Sequence, residues 1–390
     1  MTISYYNKKL LNFMYELTKL DQPMSYKEIS DKIRLDSKKI SLKTVERWFN
    51  FLKQPYNHPK SKTKDKFDYF PTFYYEKIGL VHFYVISDNP AWEKLLSDKC
   101  LKYYQNYATW LFDPQINRSV LLTGYLIPIE LEAKFKNHFY SLKKNKIVDD
   151  YKIYMNHTGL PIYMPWHEII NETGHFTNTD RKDGEQAKRL ETYWNNTPKF
   201  KMVKEVKSNP LIIPTLFEYW SKTQSSYEVW QGIKKRIGND VWKYIKKNKA
   251  HSDWLGAKKI QFTLKHIKNF EMFSRMKLVY LPLQLNNVFL YMVIKGEDKK
   301  NTLESIKKLF TNSIQLTVYP EENNRAFVIA LIDPKNLPNL LNMIDELSVE
   351  KLFFLQHEKS LPLLTDKKIY KFNYEKLFDV DNLSWKNYFR

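Results

Sequence analysis

One cysteine, Cys100, stands in 390 residues. Disulfide frameworks, CxxC-type zinc sites and iron–sulfur clusters all need several thiols, so each is excluded. Glycine is scarce, nine in the chain, and neither GxGxxG nor GxxxxGK[ST] occurs, so no Gly-rich phosphate cradle is expected. No apolar run reaches the roughly 20 residues that span a bilayer, and the opening MTISYYNKKLLNFMYEL lacks the layout of a signal peptide. These absences predict a soluble, cytoplasmic protein.

Apolar residues make up 43% of the chain and aromatic residues 16%. That is ample for packed cores and excludes disorder along the whole length. At about 100–200 residues per domain, two to four domains are expected. The formal net charge is +20, which invites a polyanionic partner. Lysine supplies most of it beside abundant Asn, Ile and Tyr, a bias that an AT-rich coding sequence also produces. Where the charge is placed therefore matters more than its sum.

Residues 7–54 read as three helices. In the first, Leu10, Phe13, Met14, Leu17 and Leu20 recur at helical spacing, and Asp21-Gln22-Pro23 ends it. Ser25 caps a short second helix, with Glu28 completing a capping box. After the polar turn Arg34–Lys39, Ser41 opens a third helix with Leu42, Val45, Phe49 and Leu52 inward and Lys43, Arg47 and Asn50 outward, flanked by Thr44. This order is that of a helix-turn-helix, whose last helix enters a major groove. Gln54–Phe73 then carries Lys60, Lys62, Lys64 and Lys66 at every second position, as in a basic wing that touches phosphates.

From Gly79 the pattern becomes strand Leu80–Ser87, helix Asn89–Lys99, strands Tyr103–Phe112 and Ser119–Ile127, helix Pro128–Lys144 and strand Ile147–Met155. This is βαββαβ, a ferredoxin-like unit. Asn156–Ser208 reads as a linker. The plan then repeats: helices at Pro210–Ser221, Ser226–Lys247 and Ala257–Phe273, the last with Lys258, Gln261, Lys265 and Lys268 as one stripe. A second βαββαβ follows over Asn287–Gln356, in which Pro334–Leu347 reads as one helix.

Three helices, a connection ending in Ile78-Gly79-Leu80 and then βαββαβ resemble the Lrp/AsnC-type (leucine-responsive) transcription regulators of archaea and bacteria. The resemblance covers 7–155 well and 209–358 loosely. It implies a DNA-reading helix-turn-helix and a ferredoxin-like domain that pairs sheets between subunits and often binds amino acids there. This chain departs from the family in fusing two units. Thr123-Gly124 is followed by Tyr125-Leu126 where the family carries an acidic residue, so the residues do not support a small-molecule effector.

The expected fold is α+β, two copies of winged helix-turn-helix plus ferredoxin-like domain. The boundaries are 1–75, 76–156, a linker at 157–208, 209–282, 283–360 and an extension at 361–390. The expected function is sequence-specific double-stranded DNA binding by a nucleoid-associated regulator, homodimeric through its sheets, with no catalytic residue, metal or cofactor. Lys38, Lys39, Ser41, Lys43, Thr44, Arg47, Asn50, Lys60, Lys62, Lys64, Lys66, Lys258, Gln261, Lys265 and Lys268 would contact DNA.

Three other readings share these features. A tandem winged-helix replication initiator has the same paired basic heads. An RNA binder would stack bases on Tyr103, Tyr104, Tyr107 and Trp110, but the RNP signature is missing. A metal-dependent nuclease could use His167, Glu168, His175, Asp180, Asp183 and Glu185, whose spacing matches no known ligand motif. His82, His138, His251 and His357 read as ordinary core or surface residues, and Cys100 as packing.

Overall fold

Serine side chains set the beginnings of the early helices. Ser25 accepts from the Glu28 N–H while Glu28 accepts from the Ser25 N–H at 2.6 Å, closing the predicted capping box of helix Tyr26–Lys32. Ser41 caps Leu42–Leu52 through the Thr44 N–H, and Asn7 caps Lys8–Thr18. Between the second and third helices, the expected polar turn is a small hairpin pairing Arg34 with Lys39 and Leu35 with Lys38. Its turn residues Asp36 and Ser37 are both left-handed, φ 49° and 64°, a conformation short polar side chains tolerate better than most. Ser25→Ala is expected to cost about 1 kcal/mol, read as a lower urea midpoint at unchanged m-value.

The computed structural model describes residues 5–58, 61–65, 67–171, 184–219, 225–238, 253–285, 287–321, 324–356, 374–379, 382 and 384–389. The fold is α+β. The chain divides into two units, each assembled from three separate segments: 1–72, 159–196 and 273–352 form the first, and 73–158, 197–272 and 353–390 the second.

In the first unit, the three N-terminal helices pack around Leu10, Phe13, Met14, Leu17, Val45, Phe49 and Leu52, all buried. The hairpin after the third helix pairs Pro55–His58 with Ser61–Asp65. The next strand, Phe67–Phe73, pairs with Phe273–Tyr280 from the second half of the sequence. Thr72 Oγ1 fixes this junction, 2.7 Å from Ser274 Oγ and donating to the Arg275 carbonyl at 3.0 Å. The unit's sheet places Leu160–Tyr163, Gln315–Glu321, Arg325–Ile332 and Val288–Lys295 side by side. The described residues of 157–208, expected to be a linker, are therefore folded. Leu160 pairs with Val318 and Tyr163 with Gln315, helices Trp166–Ile169 and Gly184–Asn195 follow, and helix Lys204–Ser208 belongs to the second unit. The cause is a short apolar run: Leu160, Ile162, Tyr163, Met164 and Trp166 are all buried, and burial of that many large side chains outweighs the polar residues around them.

In the second unit, Leu80–Asp88 lies between Arg118–Pro128 and Asp150–Asn156, and Gln105–Asp113 lies outside Arg118–Pro128, all antiparallel. In chain order the strands run 2-3-1-4. The same order holds for Val288–Lys295, Gln315–Glu321, Arg325–Ile332 and Val349–Leu355. Helix Glu132–Lys144 covers its sheet with Phe135, Phe139 and Leu142. Helices Ile212–Tyr219, Ser226–Ile237 and Asp253–Asn269 form a separate core of Leu211, Val229, Trp230, Ile233 and Ile260. The stretch Pro334–Leu347 is a short α-helix, Leu337–Met343, between two 3-10 turns. Pro334 and Pro338 each remove a donor that a continuous helix would need.

Candidate functional site

The first unit holds a cavity of about 380 Å³ lined by Asn12, Tyr15, Glu16, Lys19, Arg34, Asp36, Pro165, His167, Glu168, Gly184 and Glu185. Four stretches of chain converge on it, and local pattern explains how each does so. Helix Lys8–Thr18 turns Leu10, Leu11, Phe13, Met14 and Leu17 into the core, which leaves Asn12 and Glu16, four apart, on the cavity side. The left-handed hairpin turn carries Asp36 there, beside Arg34. Trp166 and Ile169, three apart, face inward at 1% and 4% exposure. Trp166 Nε1 donates to the Ile314 carbonyl at 3.1 Å. The two residues between them, His167 and Glu168, are thereby presented to the cavity.

His167 Nε2 lies 3.3 Å from Glu168 Oε1, with the side chains 20% and 32% exposed. The imidazole ring sits 5.8 Å from the Tyr15 ring, and Gln186 Nε2 donates to the Tyr15 hydroxyl at 3.3 Å. Lys19 Nζ is 2.8 Å from Glu16 and 3.6 Å from Glu185, and stands over the Tyr15 ring at 4.6 Å. Burial works against the Lys19 charge, but the hydrogen bond it donates to Glu16 and the fields of Tyr15, Glu16 and Glu185 leave its pKa above the usual lysine value. Arg34 Nη1 is held by the Asp31 and Ile33 carbonyls at 2.6 and 3.0 Å. The walls thus offer four carboxylates, two fixed cations and an imidazole, a surface suited to a strongly polar ligand. The His167–Glu168 pair is an acid–base couple close to hydrogen-bond reach.

Three of the residues read from the sequence as a nuclease cluster, His167, Glu168 and Glu185, meet here. Glu185 faces Lys19 instead of completing a ligand set, and His175, Asp180 and Asp183 lie outside the described residues. The opposite wall was missed. Its one local signal was Glu16 and Lys19, three apart at the end of an amphipathic helix.

Among the described residues, none of the expected DNA contacts lines this cavity. Lys38, Lys39, Lys43, Arg47 and Asn50 are exposed on the first unit. Lys39 is bonded to Asp31 at 2.7 Å, and the Ser41 and Thr44 hydroxyls, 2.9 Å apart, belong to the helix cap. Glu46 is exposed between Lys43 and Asn50. Lys62 and Lys64 lie on the strand Ser61–Asp65, whose side chains, with Lys60 and Lys66, fall outside the described residues. Lys258, Gln261 and Lys265 are exposed and Lys268 half-buried on the second unit, with Lys258 over the Trp254 ring at 4.9 Å. His251 and His357 lie outside the described residues. No helix among the described residues is long and apolar enough to cross a membrane.

No protein-family model matches the chain, and no curated protein does. Among solved structures, the siroheme decarboxylase NirDL is similar at TM-score 0.44 and 11% identity, covering 95% of this chain and 97% of that one. Its co-complex with an iron-uroporphyrin III analogue is similar at TM-score 0.44 and 10% identity, covering 90% and 92%. Both are structures of an enzyme. The expectation of a DNA-reading transcription regulator without catalytic activity is therefore withdrawn, and double-stranded DNA as a partner and nucleoid association as a location are unsupported.

Proposed function

We propose that the chain is an enzyme acting on a small, strongly polar molecule in the cavity of the first unit, moving a proton through the His167–Glu168 pair. The observation that carries this reading is the 3.3 Å imidazole–carboxylate contact at the wall of a 380 Å³ polar cavity. Glu168 orients the imidazole through Nε2, while Nδ1 is buried, so the proton passes between Nε2 and the Glu168 carboxylate. Lys19 and Arg34 favour an anionic group on the ligand, while Glu16, Asp36 and Glu185 favour a cationic one. A molecule bearing both charges satisfies both sets.

The scaffold we propose for this site is two copies of a helical head followed by a ferredoxin-like sheet, the plan of Lrp/AsnC-type proteins. The shared 2-3-1-4 strand order supports it. The heads would span 1–75 and 209–282 and the sheets 76–156 and 283–360.

The test is a thermal-shift panel of amino acids, dicarboxylates and diamines on the full chain and on His167→Ala and Glu168→Gln. A ligand at one hundred times its Kd adds about 2.7 kcal/mol to the folded state. Amino acids are expected to raise the Tm of the wild type more than the singly charged classes do, and both variants are expected to lose the response. No response from any class, or an equal response in both variants, overturns the reading.

A further inference from the structure

The chain's only cysteine is not an isolated thiol. In the second unit, Asp98, Cys100 and His138 each present one donor atom, and the three donors lie within 4.8 Å of one another. Asp98 and Cys100 sit on the turn after helix Trp92–Leu96, and His138 comes from helix Glu132–Lys144. Asp98 Oδ1 shapes the turn by accepting from the Cys100 and Leu101 N–H groups, each at 2.9 Å. It also lies 3.1 Å from His138 Nε2. Phe139 and Phe135, next to and three before His138, are buried against the sheet, so the helix phase holds the imidazole over the turn. The Phe389 ring, 5.8 Å from the imidazole, covers one side. The Asp98 and His138 side chains are 18% and 22% exposed, which leaves one direction open to water.

We propose that Asp98, Cys100 and His138 bind one borderline-soft divalent cation, Zn²⁺ by preference, with a fourth position left for water. Three points support this. A tetrahedral centre with bonds of about 2.0–2.3 Å sets its donors roughly 3.5 Å apart. The aspartate–histidine contact, 3.1 Å, is within a few tenths of that, and the Cys100 donor lies no more than 4.8 Å from either. A thiolate, an imidazole and a carboxylate select Zn²⁺ or Co²⁺ over Mg²⁺ and Ca²⁺, which take oxygen donors. Three protein ligands with one open position is also the arrangement of exchangeable and catalytic zinc, whereas structural zinc is closed by four. This site stands on residues of the second unit and is independent of the cavity described above.

Co²⁺ titration of the full chain tests the proposal directly, because Cys100 is the only thiol. Any thiolate-to-cobalt charge-transfer band in the near ultraviolet belongs to it. One Co²⁺ per chain is expected, displaced by an equal amount of Zn²⁺ and unaffected by Mg²⁺. His138→Ala and Asp98→Asn, both of which keep the thiol, are expected to weaken Co²⁺ binding at least tenfold, with far-ultraviolet circular dichroism reporting on their fold. A second measurement needs no variant: Zn²⁺ is expected to slow alkylation of Cys100 by iodoacetamide at least tenfold, and Mg²⁺ to leave it unchanged. The absence of a charge-transfer band in the wild type overturns the proposal. So does a band of equal affinity in folded His138→Ala and Asp98→Asn, which would be the thiol acting alone.

Discussion

Trp230→Ala is expected to remove about 3–5 kcal/mol from the stability of the second unit. Trp230 is fully buried, among the largest side chains that are. It is the centre of the cluster of Leu211, Val229, Ile233 and Ile260 that joins three helices. Its indole N–H is also used, donating to Asp253 Oδ1 at 3.0 Å. Lys234 reaches the same oxygen at 2.9 Å. Hydrogen bonds from Lys234 first and Trp230 next draw the Asp253 carboxyl down to about 2, so it stays charged across the physiological range. Truncation to alanine therefore opens a cavity and removes one partner of that carboxylate together.

Gly256 makes the same contact from the facing helix, where a Cβ would stand 2.1–2.5 Å from three atoms of the indole. Glycine in a helix interior costs about 1 kcal/mol relative to alanine, yet here Gly256→Ala is expected to destabilise by about 1–3 kcal/mol through overpacking. The pair is expected to be non-additive, since the alanine methyl fills space that Trp230→Ala vacates. Urea unfolding of both single variants and the double variant measures this. Strict additivity would mean that the two helices do not meet at this contact.

What could be read in the sequence was whatever is local. Ser25 with Glu28, Ser41 and the near-continuous apolar runs at Leu80–Asp88 and Val288–Lys295 mark their elements without help from distant residues. The strand Leu160–Tyr163 was missed because four residues are too few to show a period. Its partner, Gln315–Glu321, lies some 155 residues on. The pairing of Phe67–Phe73 with Phe273–Tyr280 was missed for the same reason, and with it the way each unit draws on three separate segments. The candidate cavity was half legible. His167, Glu168 and Glu185 stood out as polar groups in one short stretch, but Tyr15, Glu16, Lys19, Arg34 and Asp36 reach them only through tertiary packing. Asp98 and His138 are 40 residues apart, and nothing in that spacing announces that a helix brings them to the one cysteine.

The second large effect is a dependence of stability on pH centred on Glu321, at the end of a strand in the first unit. Its side chain is 2% exposed and lies 2.5 Å from Arg325 Nε across the hairpin, while Glu350 stands 3.8 Å from the same guanidinium. Burial raises the Glu321 carboxyl, Arg325 opposes the rise and Glu350 adds to it, and the outcome is a pKa of about 7 against an ordinary 4.5. The folded state therefore holds this proton more tightly than the unfolded chain does. The stability it contributes is complete below the unfolded value and is lost as pH rises through the folded one. Between pH 5 and pH 8 the loss is about 2–3 kcal/mol, because each pKa unit is worth about 1.4 kcal/mol. Glu321→Gln keeps a neutral amide that still accepts from Arg325, so it is expected to lack this slope. It should match the wild type near pH 5 and exceed it near pH 8. Urea unfolding of both proteins at the two pH values reads the difference directly. If the gap between them does not change with pH, Glu321 is ionised in the folded state throughout, and the ion pair with Arg325 outweighs the cost of burying it.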